Sequence, residues 1–138
     1  MPTDVTVSVE DLLDLHDFVI DSPDGAAPGV RDLGALEAAV ARPQSAFAGV
    51  DFYPTPFAKA AALMESIIQR HPFVDGNKRT GLLAAAFFLF EAGYVISSPQ
   101  QQEELTAVAV EVAEHHLDVN GLSNWFEKHA RPTSDIGF

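Results

Sequence analysis

The chain contains no cysteine, which removes disulfide frameworks, thiol nucleophiles and cysteine zinc sites from the readings open to it. Positive charge is scarce too. Eight Lys and Arg stand against twenty Asp and Glu, a net charge of -12, whereas a general nucleic-acid binder needs clustered cations to meet phosphates. Long apolar runs are missing: the longest, residues 82–90, has nine residues, and a membrane span needs about twenty. Residues 1–10 hold neither a basic cluster nor an apolar stretch of signal-peptide length, so the expected address is the cytoplasm, with no membrane and no direct nucleic-acid partner. Strand-like alternation is rare as well, which points to an all-α architecture with one small hairpin.

At 138 residues the chain suits a single domain, expected over residues 1–130, with residues 131–138 as a flexible tail. No internal repeat or linker interrupts it. Ser8 and Asp11 form a capping pair, and Val9, Leu12, Leu13, Val19 and Ile20 then recur at helical spacing, predicting a helix over residues 8–20. His16 falls on the same apolar stripe and reads as a hydrogen-bonded core histidine. Residues 21–29 carry two prolines and two glycines and read as a loop. Asp32 can cap a short second helix with Leu33, Leu36 and Val40 on one face, stopped by Pro43. Residues 43–54 are aromatic and glycine-punctuated and read as an exposed hairpin or flap. Thr55 and Pro56 open a third helix that ends near Arg70, because Pro72 disfavours helical geometry at His71. From Asn77 to Ala92 the chain is apolar on nearly all sides after Thr80, the pattern of a central, most buried helix that Gly93 terminates. Fifth and sixth helices follow Pro99 and surround Leu122, giving a six-helix bundle around that central buried helix. Glu111 and His115 could share one helical face, but zinc generally wants three or four protein ligands, so His115 and His116 read as surface residues.

The chemistry concentrates in residues 71–79, His-Pro-Phe-Val-Asp-Gly-Asn-Lys-Arg. His71, Phe73, Asp75, Asn77, Lys78 and Arg79 would coincide by chance in on the order of one window in a hundred million. The run leads into the first turn of the central helix, where unpaired N–H groups and the positive end of the macrodipole favour phosphate oxygens. Gly76 allows the backbone to approach such a ligand, and Asn77 suits the cap position. Lys78 and Arg79 add positive charge against a transferring phosphoryl group. Asp75 supplies a hard oxygen for magnesium, which commonly takes one or two carboxylates and completes its shell with water and phosphate. His71 is the general-base candidate, and Phe73 reads as a buried ring that fixes the loop aiming it. The charge pattern agrees: residues 31–79 carry a net +1 while the rest of the chain sums to -13, so an anionic ligand would be focused there.

This run resembles the signature of the Fic/Doc superfamily, His-x-Phe-x-(Asp/Glu)-(Gly/Ala)-Asn-(Gly/Lys)-Arg, and within it the death-on-curing (Doc) toxins of bacterial toxin-antitoxin pairs. In the branch that transfers adenosine monophosphate, glycine follows the asparagine and a second arginine follows three residues after the first. Lys78 and Leu82 stand at those positions here, and Lys78 matches the Doc pattern. The resemblance extends to the segment Gly29, Val30, Arg31 and Asp32 and to the helical layout. It implies ATP and Mg2+ as cofactors and transfer of the γ-phosphate to a threonine of elongation factor Tu, blocking translation. His71 would then be the base, Asp75 the metal ligand, and Gly76, Asn77, Lys78 and Arg79 the residues around the phosphates. The flap would dock an extended stretch of the target as an added strand. Arg31 either points toward the site or makes a salt bridge at the start of the second helix. Adenylylating relatives often carry an inhibitory Ser/Thr-x-x-x-Glu-Gly/Asn helix. The nearest stretch, Ser123 to Glu127, is followed by Lys128 and departs from it, so an antitoxin acting in trans is expected. Adenylylation, or a catalytically silent nucleotide-binding module, are the alternatives.

Overall fold

The computed structural model describes residues 5–96 and 98–136. Among these residues lie six α-helices: α1 (Val9–Ile20), α2 (Leu33–Ala41), α3 (Pro56–Arg70), α4 (Asn77–Glu91), α5 (Pro99–Ala113) and α6 (Val119–His129). Short side chains that accept from the first turn begin five of them. Ser8 and Asp11 close a reciprocal capping box on α1 (2.9 and 3.0 Å), and Asp32, Thr55, Ser98 and Asp118 cap α2, α3, α5 and α6. Helix α5 begins at Pro99 itself rather than after it, because proline's fixed φ and missing N–H suit the first helical position.

One core joins all six helices, from Leu12 on α1 through Leu36, Met64, Ile67, Phe88 and Val112 to Leu122 and Phe126 on α6. The centre of the bundle is shared. Helix α3 buries nine of its residues and α4 seven, so α3, not α4, is the more deeply buried. The apolar coat of α4 runs past the core on one side, where Leu82, Leu83, Ala86 and Phe87 are only partly covered and Phe90 is exposed. The two helices pack closely at Gly81, where an added Cβ would lie 2.9 Å from Ile68 Cγ1 and 3.3 Å from the Met64 carbonyl oxygen. No helix among the described residues is long and apolar enough to cross a membrane.

The expected flap is a hairpin of β1 (Ala46–Phe47) and β2 (Val50–Asp51), paired antiparallel in the register Ala46 to Asp51 and Phe47 to Val50. Its two-residue turn has positive φ at both Ala48 and Gly49, which matches the twist of the strands. Both stems are fastened to α3. The Arg42 guanidinium donates to the Tyr53 hydroxyl (2.9 Å) and to Glu65 (2.7 Å), and the buried Lys59 ammonium donates to the Pro43 carbonyl (3.0 Å) and faces Asp51 (3.6 Å). The tip projects: Phe47, Val50 and Phe52 are 75%, 67% and 60% exposed.

The end of the chain departs from the expectation of a loose tail. Arg131–Pro132 forms β4, antiparallel to β3 (Tyr94–Val95), and the Thr133 N–H donates to the Gly93 carbonyl (2.9 Å) before a 3-10 turn over Thr133–Ile136. The left-handed Gly93 turns the chain out of α4 and leaves the backbone of Tyr94 and Val95 free to pair. Residues 137 and 138 lie outside the described residues. Replacing Gly81 by Val should lower the unfolding free energy by about 2 kcal/mol, because the side chain must displace Ile68 or the α3 backbone from a packed interface; urea denaturation followed by circular dichroism measures it.

Candidate functional site

Helix α3 ends at His71, whose backbone is left-handed (φ 51, ψ 60) and so outside the right-handed helical region that Pro72 disfavours, with the His71 N–H still donating to the Ile67 carbonyl (3.3 Å). The carbonyls this leaves at the helix end are taken by Arg31. Its Nε donates to the His71 carbonyl (2.6 Å) and its Nη2 to that of Arg70. Among the described residues Arg31 therefore neither lines the cavity nor forms a salt bridge: its planar fork caps α3 and sets the backbone from which the His71 imidazole projects. The segment before α2 runs beside the signature loop. The Arg31 and Asp32 N–H groups donate to the Pro72 carbonyl (2.7 and 3.0 Å), and the Val74 N–H donates to that of Gly29 (3.0 Å).

Phe73 is fully buried, so its peptide groups need partners inside the protein. Asn77 supplies both: its Oδ1 accepts from the Phe73 N–H and its Nδ2 donates to the Phe73 carbonyl, each at 3.0 Å. This corrects the reading of Asn77 as the helix cap. The cap is Gly76 (φ 79), and Asn77 is the first helical residue, with a buried side chain turned back on the loop. The reason for Gly76 also changes. A Cβ there would meet Val19 Cγ1 at 3.1 Å and Ala26 at 3.3 Å, so the glycine serves the left-handed backbone and the seating of the loop against α1.

The surface above this loop is a cavity of about 440 Å³ lined by His71, Val74, Asp75, Gly76, Asn77, Lys78 and Arg79, within the range of small-ligand sites. The N–H groups of Asn77, Lys78 and Arg79 have no acceptor among the described residues, and the Thr80 N–H is the first to reach back, to the Gly76 carbonyl (2.9 Å). They form the positive end of α4. The His71 imidazole is exposed and makes no hydrogen bond among the described residues. Lys78 is exposed beside it on the cavity wall. Arg79 diverges from Lys78, as neighbours on a helix must, and donates to the Gly25 carbonyl and to Ser22 Oγ (3.5 Å) in the loop between α1 and α2. Two of its five N–H groups are so engaged.

Asp75 is exposed at the same mouth. Its Oδ2 accepts from the Ala27 N–H (3.0 Å) and its Oδ1 from the Gly76 N–H (2.9 Å). These two donors, with the Arg79 charge nearby, hold its carboxyl below the ordinary value of 3.8. Each oxygen keeps a further lone pair, so an ionised, outward carboxylate suits a hard cation that draws its other ligands from water and phosphate. The loop of residues 21–29 thus braces the site, holding Arg79 through Gly25 and Asp75 through Ala27, a role its turn-forming composition did not signal. His16 was legible as a core residue only. It is buried as expected, yet it reaches the Asp75 carbonyl with Nε2 (2.8 Å). Elsewhere, the exposed Glu111 meets His116 rather than His115 (2.9 Å).

A helical bundle whose inner helix opens with free amides under a histidine, an aspartate and a lysine defines a class of protein suited to anionic, phosphate-bearing ligands. The chain belongs to the Fic/DOC family, whose profile matches residues 6–89 and so includes the whole signature loop. It is similar to the Toxin Doc of Mycolicibacterium smegmatis, 43% identical over 94 residues that make up 68% of this chain and 72% of that one. It is also 34% identical over 119 residues to the Protein kinase doc of Escherichia phage P1, covering 86% of this chain and 90% of that one.

Because the folded carboxyl of Asp75 ionises at lower pH than an unfolded one, its hydrogen bonds add stability above the unfolded pKa and lose it as the pH falls through the lowered folded pKa. An NMR titration should place its midpoint below 3.8, and Asp75→Asn should abolish that part of the acid-dependent stability change.

Proposed function

We propose that this protein is a Doc-type toxin that transfers the γ-phosphate of ATP, with magnesium, to a hydroxyl of a translation factor, elongation factor Tu, and that an antitoxin supplied as a separate chain holds it silent. The observation that carries the reading is that His71, Asp75 and Lys78 line one cavity over the unpaired amides that open α4. A site that only bound nucleotide would have no use for an unengaged imidazole beside them. The names of two relatives, a Toxin Doc and a Protein kinase doc, support the same reading.

His71 takes the proton of the acceptor hydroxyl as that oxygen bonds to the γ-phosphorus. The bond from phosphorus to the bridging oxygen breaks, and ADP leaves. The Asn77, Lys78 and Arg79 amides and the Lys78 ammonium face the charge spread over the phosphoryl oxygens, where pre-set donors act most strongly. The free donors of Arg79 can turn to phosphate while the others keep the α1 to α2 loop in place. Asp75 would hold magnesium, which when bound offsets phosphate charge and orients the chain of phosphates. Lys78 also bears on the choice of group transferred. It stands where adenylylating relatives have glycine, and Leu82 lines an apolar groove beside Arg79 where they have a second arginine.

Incubation of the purified protein with elongation factor Tu should label the factor from γ-labelled ATP; label from α-labelled ATP alone would establish adenylylation instead. In His71→Asn the asparagine tolerates the left-handed backbone while lacking a base, so the transfer rate should fall by about 10²-fold or more with the thermal midpoint unchanged. Undiminished transfer in that variant would remove His71 from the reaction.

A further inference from the structure

His16 is the one buried histidine in the described core, 3% exposed on α1, and the reaction as written above makes no use of it. Its ring stacks on that of Phe73 with centroids 3.9 Å apart and planes 7° from parallel. Its Nε2 lies 2.8 Å from the Asp75 carbonyl oxygen. A carbonyl can only accept, so Nε2 carries a hydrogen and donates it. His16 Cδ2 is also 3.8 Å from where a Gly76 Cβ would stand, so the ring lies directly beneath the peptide joining Asp75 to Gly76.

That peptide is the hinge of the site. In a planar trans unit the carbonyl and the following N–H point to opposite sides. With the Asp75 carbonyl drawn inward to α1, the Gly76 N–H must face outward, and there it donates to Asp75 Oδ1 (2.9 Å). The same carboxylate is held from its other side by the Ala27 N–H (3.0 Å). We infer that His16 is a positioning residue: its Nε2–H fixes the Asp75 to Gly76 peptide so that the carboxylate and the first amides of α4 face the cavity together. Stacking on Phe73 holds the ring, and the hydrogen bond transmits its position to the site. Asp75 and Gly76 can otherwise rotate their shared peptide plane, since Gly76 at φ 79 has wide backbone freedom. A site that must hold its groups to within about 0.5 Å needs such a support.

The inference deepens the proposed function and rests on it where Asp75 is taken as the metal ligand. Two variants separate the ring from its donor: His16→Phe keeps the stack without the N–H, and His16→Gln returns an N–H at the Nε2 position without the stack. In the wild type, 15N NMR of the imidazole at neutral pH should find Nε2 protonated and protected from exchange. In His16→Phe the Gly76 amide resonance should shift, and the affinity for Mn2+ in the presence of ATP should fall on the order of tenfold, as for loss of a group that orients a metal ligand. His16→Gln should stay near the wild type in both readouts. A wild-type imidazole protonated on Nδ1 alone would overturn the inference, as would an unmoved Gly76 amide in a folded His16→Phe. If His16→Phe does not fold, a displaced Gly76 amide in His16→Gln overturns it equally. If the Gly76 amide moves as expected while Mn2+ affinity holds, the positioning role stands and the assignment of Asp75 as metal ligand falls.

Discussion

The site depends on the satisfied burial of one residue, Phe73. Its ring fills the core between α1 and the helices that flank the loop, so its own N–H and C=O are cut off from water and must be paired within the protein. Both bonds come from the side-chain amide of Asn77. That reciprocal clamp closes a tight loop between α3 and α4, and the loop in turn places His71 at one rim and the amides of α4 at the other. Removing either partner would strand buried polar groups and loosen the whole segment. Asn77 therefore sits in the signature run while its side chain serves the fold.

Around this clamp the protein collects support from elements distant in sequence. Arg31 caps the end of α3, His16 rises from α1 beneath Asp75, and the loop after α1 receives Arg79 and donates to Asp75. Three segments thus converge on residues 70–79. Backbone carbonyls and N–H groups make most of these contacts, which explains how a short loop with two left-handed positions, His71 and Gly76, can be held in one conformation. Along the sequence the charge is uneven too: residues 31–79, which include the signature loop, carry a net +1 within a chain of net charge -12.

Much of the architecture was legible along the chain. Ser8 with Asp11, Asp32, and Thr55 with Pro56 mark helix starts because capping is a local interaction, settled within three or four residues. The break at His71 followed from Pro72 by the same locality. The burial order of α3 and α4 was not legible, because an apolar helix has no unique inward face and only its neighbours decide which side stays partly exposed. The end of the chain was missed for a related reason: β4 has two residues, too few to show a period, and exists because β3 lies open beside it.

By itself the sequence determined that His71, Asp75, Lys78 and Arg79 would be brought near the start of one helix, since nine residues of chain cannot carry them far apart. Tertiary structure alone decided what each of them faces. Arg79 is bound by a loop more than fifty residues away, Asn77 is turned into the core, Arg31 grips a helix end instead of a ligand, and His16 holds a carbonyl beneath the site. Those assignments depend on hydrogen-bond partners supplied by other segments, and the direction of a hydrogen bond is set by where the chain folds in space, which spacing along the chain does not encode.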